Sequence, residues 1–226
     1  YSWFPEDAEL ATRIAEHLRT HKEYLPTGER LTDHRFQMAG HFLGGRWRER
    51  GLHYFLETAF AEGNDHLSDQ FLTAMGAEVT FQANPLYALM HETIYADGPA
   101  DGVLPGIPGY ELSPSPAPTN WSAARVAASR PEFAPDADRL LFTGEHIFPW
   151  YYEEDPSLRP LAEVANLLAE KKDWGRLYDH AQLHKNEVPV VAAAYNPDVY
   201  VDFEHSMETA RWVGNTQVWT SKTHHH

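Results

Sequence analysis

The chain has 226 residues and carries 18 Lys and Arg against 33 Asp and Glu, a formal net charge of −15 with neutral histidines. Hydrophobic residues make up 42% of the sequence and aromatic residues 13%, a composition sufficient for a packed core. The acidic balance argues against binding to nucleic acid or to an anionic membrane surface, because both present negative charge. Since there is no cysteine, disulfides, thiolate nucleophiles and cysteine-based metal sites are excluded.

The apolar runs and the two ends of the sequence give expectations about the cellular location of the protein. No apolar run approaches the roughly 20 residues that a membrane-spanning helix needs. The opening residues YSWFPEDAEL lack the charged-then-apolar pattern of a signal segment, so we expect a cytoplasmic chain without a membrane partner. The final residues His224 to His226 are either a clipped affinity tag or native sequence.

The first 95 residues have the pattern of a helical segment with short polar breaks. Leu10, Ile14 and Leu18 follow one another in steps of four, which predicts a helix over residues 6–21. Thr32 and Asp33 are candidates for the cap of the next helix. Further helices are predicted over residues 32–44, 46–60, 68–75 and 85–95. No strand is predicted in this part.

Residues 96–119 interrupt the helical pattern, since ten of these 24 positions are Gly or Pro. This composition predicts a long surface loop. Helices are predicted again over residues 121–129 and 157–171, and Pro160 falls in the first turn of the latter, where proline costs little. Its apolar face is formed by Leu161, Val164, Leu167 and Leu168.

The pattern changes after Asn186. Val188–Tyr195 is a short apolar run typical of a strand buried on both faces of a parallel sheet. A helix over residues 206–212 and a strand over 216–220 follow, an alternation that indicates α/β architecture. Two or three strands do not make a stable covered sheet, so we expect the rest of the sheet to lie elsewhere.

Asp198 and the terminal histidines follow the two predicted strands at their carboxyl ends, where open parallel sheets collect reactive side chains. An Asp after one strand and a His after the next is the order of the last two members of the Ser-Asp-His triad of α/β-hydrolases. The Asp would orient the imidazole, which takes the proton from the serine. The same spacing also fits an Asp that only stabilises a turn.

Several segments resemble the C-terminal half of proline iminopeptidases (prolyl aminopeptidases) of the α/β-hydrolase class, in their longer bacterial branch. They are HETIY at 91–95, TNWSAARV at 119–126, LFTGE at 141–145 with Pro149-Trp150, NEVPV at 186–190, YVDF at 200–203 and SMETA at 206–210. The resemblance implies an α/β-hydrolase fold with a helical cap. Residues 1–153 would form the cap, including the loop 96–119, and residues 154–226 the C-terminal part of the core.

Carried over to this chain, the resemblance assigns the triad aspartate to Asp198. Relatives usually have Asp-Asp-Met-Tyr where this chain has Pro197-Asp198-Val199-Tyr200. The family's triad histidine follows a Val-Trp strand by seven residues, and the seventh residue after Trp219 is His226. This spacing favours native sequence over a tag at the end of the chain, and it gives His224 and His225 no role.

In this family a helical cap binds the substrate's free amine with paired glutamates. The matching positions in this chain are Glu92 and Glu145. A cationic amine in a closed pocket must be paired, because its desolvation is otherwise too costly. The alternative for each glutamate is a position on a solvated helix face. The aromatic candidates for the apolar slot that a proline ring needs are Phe148, Trp150 and Tyr151.

The sequence contains no Gly-x-Ser-x-Gly nucleophile elbow. We therefore expect the serine on an N-terminal segment, in a second chain or in a part not included here, and we expect these 226 residues to be inactive alone. The sequence thus predicts part of a serine aminopeptidase that releases N-terminal proline from peptides, with no cofactor and no metal. Two alternatives remain: another cap-bearing α/β-hydrolase, such as an esterase or epoxide hydrolase, and a non-catalytic binding module.

Overall fold

The computed structural model describes residues 1–44, 48–61, 65–98, 117–196 and 198–224. The α-helices within these ranges are α1 (Asp7–Thr20), α2 (Asp33–Phe36), α3 (Arg48–Glu57), α4 (Asp69–Val79), α5 (Pro85–Met90), α6 (Ser122–Ala128), α7 (Tyr151–Glu154), α8 (Ala162–Glu170), α9 (His180–His184) and α10 (Phe203–Trp212). The strands are β1 (Glu23–Tyr24), β2 (Arg30–Leu31), β3 (Val190–Tyr195) and β4 (Thr216–Ser221). Segments of 3₁₀ helix cover Gln37–Leu43, His91–Tyr95, Pro131–Phe133 and Arg159–Leu161.

The predicted helices of the first part are present, and two of them begin at side-chain caps. The Thr32 hydroxyl accepts a hydrogen bond from the Arg35 N–H at 3.2 Å at the start of α2. Ser68 does the same for α4, accepting from the Phe71 N–H at 3.0 Å. These bonds satisfy N–H groups that have no partner inside the helix.

One apolar core joins the helices from α1 to α8. Ile14 and Leu18 on α1 are almost completely buried, as their spacing predicts. Phe55 on α3 stacks on Phe71 of α4, with ring centroids 4.6 Å apart, and on Phe42 at 5.1 Å. This stack holds α3 and α4 against the 3₁₀ segment that follows α2.

Strands β1 and β2 correct the expectation of a purely helical first part. They pair antiparallel between α1 and α2, with Glu23 opposite Leu31. The turn between them includes Gly28 at φ +94°, a conformation that favours glycine. The residues after α1 therefore do more than end a helix, because their turn also joins two strands of two residues each into a hairpin.

Helix α8 directs small residues, rather than its apolar stripe, into the core. Ala165 and Ala169 are buried, whereas Val164 is 46% exposed and Leu167 is 62% exposed. The apolar face predicted for this helix is therefore not the face that the helix buries within this chain. The alanines let α8 approach α5 and the 3₁₀ segment His91–Tyr95 closely.

Strands β3 and β4 form a parallel pair, with Val190 opposite Thr216 and Tyr195 opposite Ser221, and α10 connects them and packs on both. The expectation of a strand covered on both faces is not met within this chain. Val191 is 78% exposed and Trp219 is 49% exposed. The register places both on one side of the pair, together with Ala193, and we call these three residues the uncovered sheet face.

Most of the predicted loop 96–119 falls on residues 99–116, outside the described ranges. In the part of the chain that the structure describes, no helix combines the length and the apolar character needed to cross a membrane.

Because α8 packs on α5, the helical core continues past residue 154. The boundary between a cap (residues 1–153) and a C-terminal part of the core (residues 154–226) stays a prediction.

His34 generates a prediction about pH and stability. It bonds to Glu154 of α7, with Nε2 2.7 Å from Oε1. Burial by itself lowers the pKa of His34, but its bonds to Asp33 and Glu154 outweigh burial and raise that pKa to about 9. Stability from the protonated form is complete below its unfolded-state pKa of about 6.5 and disappears as the pH rises through about 9.

We expect the free energy of unfolding of the chain to fall between those two pH values, and to fall less in His34→Gln. Urea denaturation of both proteins across this window measures the difference. His205→Gln is the control, because its side chain is 81% exposed. A wild-type fall that His34→Gln leaves unchanged would contradict the assignment.

Candidate functional site

The two glutamates expected to bind an amine come from separate elements. Glu92 lies in the 3₁₀ segment after α5, and Glu145 lies in the loop that precedes α7. Burial, followed by the nearby Glu92 and Glu145 carboxylates, raises the pKa of the Tyr95 phenol to about 12. Both carboxylates therefore act electrostatically on the same hydroxyl, so the two predicted residues lie in the surroundings of Tyr95.

Glu92 is a buried carboxylate with one unused oxygen. Its residue is 2% exposed, and Oε2 accepts a hydrogen bond from the Ser122 N–H at 3.3 Å. Oε1 is buried and accepts no hydrogen bond from any described residue. A buried carboxylate oxygen without a donor is costly, so this position is an acceptor for a group with N–H or O–H bonds.

Glu145 is half-buried and is held by a tyrosine. The Tyr87 hydroxyl of α5 donates to Glu145 Oε2 at 3.1 Å. Burial and the Glu145 charge raise the pKa of Tyr87 well above its ordinary value, so the phenol stays protonated and keeps donating. This bond fixes the carboxylate and leaves its negative charge in place.

Two histidines border the glutamates. Tyr95 links them, because its hydroxyl lies 2.8 Å from His91 Nε2 and 3.3 Å from His146 Nδ1. Desolvation lowers the pKa of both imidazoles. Near neutral pH both rings are therefore uncharged, and they do not neutralise the carboxylates beside them.

The three aromatic candidates have different surroundings. Phe148 lines a cavity of about 860 Å³, together with Tyr95 and His146. Trp150 stacks on Phe148, with centroids 5.6 Å apart and planes inclined by 18°. Tyr151 is 2% exposed and packs against Trp150 with centroids 4.0 Å apart. Phe148 thus lies at the cavity, and the other two rings pack behind it.

Asp198 lies in the loop after β3. Its Oδ1 accepts hydrogen bonds from the Tyr200 N–H at 2.9 Å and the Val201 N–H at 3.1 Å. The neighbouring Val199 and Asp202 line the same cavity as Phe148. The loop that carries the expected triad aspartate therefore borders the cavity that Phe148, Tyr95 and His146 also line.

The other expected triad residue, His226, lies outside the described residues, as does His225. His224 is described and is held at the end of β4, where its N–H donates to Ser221 Oγ at 3.0 Å. Since β3 and β4 are parallel and Tyr195 is opposite Ser221, the segments after both strands leave the same edge of the sheet. Asp198 and His224 therefore both follow that common edge.

Several polar side chains of the site were not singled out from the sequence. Tyr87, His91 and Tyr95 follow one another at intervals of four residues, which puts them along one side of α5 and the 3₁₀ segment after it. This interval is a usable signal for a polar stripe. His146 and Tyr200 have no comparable signal, because their neighbours in the site are distant in sequence.

The described residues include no group of three or more His, Asp or Glu side chains arranged to hold a metal ion. The pairs His17/His21 and His180/His184, which have the spacing of metal ligands on a helix, are engaged in other contacts. His17 lies 2.6 Å from Glu23 Oε1 through its Nε2 atom. His180 lies 3.2 Å from Asp97 Oδ2 in the same way.

Comparison with known proteins gives two close matches. No family model matches the chain. The chain is 38% identical to a proline iminopeptidase of Aeromonas sobria over 227 aligned residues, which cover 100% of this chain and 49% of that protein. It is 33% identical to proline iminopeptidase aneH of Aspergillus aculeatus over 232 aligned residues, or 100% of this chain and 47% of the relative.

The chain spans about half the length of these curated relatives. The resemblance inferred from the HETIY, TNWSAARV and LFTGE segments is therefore confirmed by similarity along the whole chain. Along its whole length, this chain is homologous to about half of each of these two proline iminopeptidases.

Proposed function

We propose that the chain forms the helical cap (residues 1–153, with the loop 96–119) and the C-terminal part of the core (residues 154–226) of a cytoplasmic serine aminopeptidase with an α/β-hydrolase fold. The reaction is the release of N-terminal proline from peptides. The observation that carries this proposal is the buried, unpartnered Oε1 of Glu92 beside a second carboxylate. The protonated amine of a peptide supplies the N–H donor that this oxygen lacks.

Glu92 and Glu145 share the amine between them. Ser122 occupies Oε2 of Glu92 and Tyr87 occupies Oε2 of Glu145, so each carboxylate is fixed while its charge is retained. The secondary amine of proline is cationic near neutral pH, and two carboxylates compensate for the loss of its hydration. Neutral His91 and His146 do not repel the cation.

The proline ring enters the cavity against Phe148. This ring is 7% exposed and is kept in place by the parallel stack with Trp150. Tyr151 supports the stack from the core. Apolar walls beside paired carboxylates suit a substrate whose amine is part of a hydrocarbon ring.

The chemistry is acyl transfer through a serine ester. His226 takes the proton of the serine hydroxyl as its oxygen attacks the prolyl carbonyl carbon, and Asp198 orients and stabilises the imidazole. The amide C–N bond then breaks and the leaving amine receives that proton. Water, activated by the same imidazole, hydrolyses the prolyl ester to free proline and restores the serine.

The serine belongs to a segment that packs on surfaces this chain leaves open. The uncovered sheet face (Val191, Ala193 and Trp219) and the exposed Val164 and Leu167 of α8 are apolar surfaces. Further parallel strands and their helices would bury them, as in sheets covered on both sides. The relatives are about twice as long as this chain, which provides the length for such a segment.

Replacing either glutamate tests the amine site. In a protein that includes the serine-bearing segment, we expect Glu92→Gln and Glu145→Gln each to lower kcat/KM for a proline arylamide by about 10- to 100-fold, the loss of one charge-assisted hydrogen bond. A simple ester without an amine should lose less than about threefold. Steady-state kinetics with both substrates make the measurement.

Glu9→Gln is the matched control, because Glu9 is exposed on α1 and lies on another element. Equal losses for the arylamide and the ester would contradict amine recognition and would favour another cap-bearing hydrolase. Absence of hydrolysis of both substrates by the unmodified protein would favour a binding module.

Association with the serine-bearing segment can be tested by mixing. We expect the purified chain alone to be inactive, and addition of the segment to restore hydrolysis of a proline arylamide. Val191→Asp should prevent restoration, since it places a charge on the uncovered sheet face. Leu177→Asp is the control, because this side chain is 59% exposed outside that face.

Co-purification of the two parts measures association independently of activity. Hydrolysis by the chain alone through a serine would overturn the proposal. So would undiminished association of Val191→Asp.

A further inference from the structure

Tyr200 connects the loop after β3 to the helical part of the chain. At one end, its backbone N–H donates to Asp198 Oδ1 at 2.9 Å. At the other end, its hydroxyl donates to the carbonyl oxygen of His41 at 3.0 Å. His41 lies in the 3₁₀ segment Gln37–Leu43, so one side chain spans from the sheet edge to the helical core.

The Tyr200 ring occupies a space that exists only because residue 44 is glycine. A Cβ atom on Gly44 would lie 1.7 Å from the ring atoms Cε2 and Cζ. The backbone of Gly44 has φ −82° and ψ 130°, which any residue adopts. Glycine is therefore required here for space, and the ring lies directly on the main chain.

The flanking residues of this loop have little other attachment through their side chains. Val199 is 58% exposed and Val201 is 47% exposed. Asp202 caps α10, with its Oδ1 accepting from the His205 N–H at 3.0 Å, and so fixes the far end of the loop. Between β3 and α10, the Tyr200 side chain thus links the described part of the loop to the helical core.

Tyr200 also acts electrostatically on the phenol that holds Glu145. Burial is the largest cause of the raised pKa of Tyr87, and Glu145, Tyr95 and Tyr200 add to it. Tyr87 donates to Glu145, as described above. Tyr87 is thus bonded to Glu145 and influenced by the charge state of Tyr200, whose own N–H is bonded to the Asp198 carboxylate.

We propose that Tyr200, seated on Gly44, is a positioning residue that sets the place of Asp198 relative to the amine-binding glutamates. This inference rests on the proposed function, in which Asp198 orients the catalytic imidazole. Small displacements of a positioned group cost large factors in rate, so anchoring the loop is a requirement of the reaction. The anchor acts on turnover, whereas the glutamates act on recognition of the amine.

The test uses the protein that includes the serine-bearing segment. Tyr200→Phe removes the bond to His41 and keeps the ring, and we expect kcat to fall about fivefold while KM changes less than about twofold. The fall should be equal for a proline arylamide and a simple ester, because both need the triad. The acid limb of the kcat/KM profile should move to lower pH, since a displaced carboxylate supports the imidazolium less.

Gly44→Ala should reproduce these effects by pushing the ring away. In a Tyr200→Ala background, Gly44→Ala should have no further effect, because the ring it strikes is gone. The matched control is Gly175→Ala, where an added Cβ meets no atom within 4 Å. Thermal unfolding of every variant separates loss of fold from loss of positioning.

Three outcomes decide the matter. The inference stands if Tyr200→Phe lowers kcat for both substrates and shifts the acid limb at unchanged unfolding temperature. It is overturned if Tyr200→Phe and Gly44→Ala keep wild-type kcat and pH profile while Asp198→Asn abolishes turnover. If Asp198→Asn also keeps full activity, the triad assignment in the proposed function fails first, and this inference fails with it.

Discussion

The site depends on one buried carboxylate whose charge is only partly compensated. Glu92 is held by the Ser122 N–H at the start of α6, while its other oxygen accepts no bond from the described chain. A buried oxygen without a donor is costly to the fold, so its surroundings must hold it rigidly. The core between α1 and α8 does this, because it fixes the 3₁₀ segment of Glu92 against α8.

The residues around Glu92 and Glu145 preserve negative charge. Tyr95 and Tyr87 have raised pKa values and remain donors, and His91 has a lowered pKa and remains uncharged. A permanent cation in this place, such as an arginine, would fill the site that an amine needs. The overall charge of −15 thus has a local counterpart in these two carboxylates, which are the residues assigned to the amine in the proposed function.

Local patterns predicted much of the fold, whereas contacts between distant residues were beyond them. Helix α1 and strand β3 follow from apolar spacing alone, and the Thr32 cap follows from residue type. The orientation of α8 does not, because its apolar stripe and its alanines are both plausible inner faces. Glu92 and Glu145 were assigned by resemblance, an assignment that stays a prediction. The contacts of Tyr200 do not follow from the sequence, since its partners His41 and Gly44 are more than 150 positions away.

The parallel pair of β3 and β4 has a consequence for the order of folding. Its strands are joined through α10 and expose one face, so within this chain the pair gains little apolar burial of its own. The helical part instead has many contacts between neighbouring elements, which form quickly. The helical part would therefore form before the strand pair, whose face around Val191 gains little burial from the described residues of this chain.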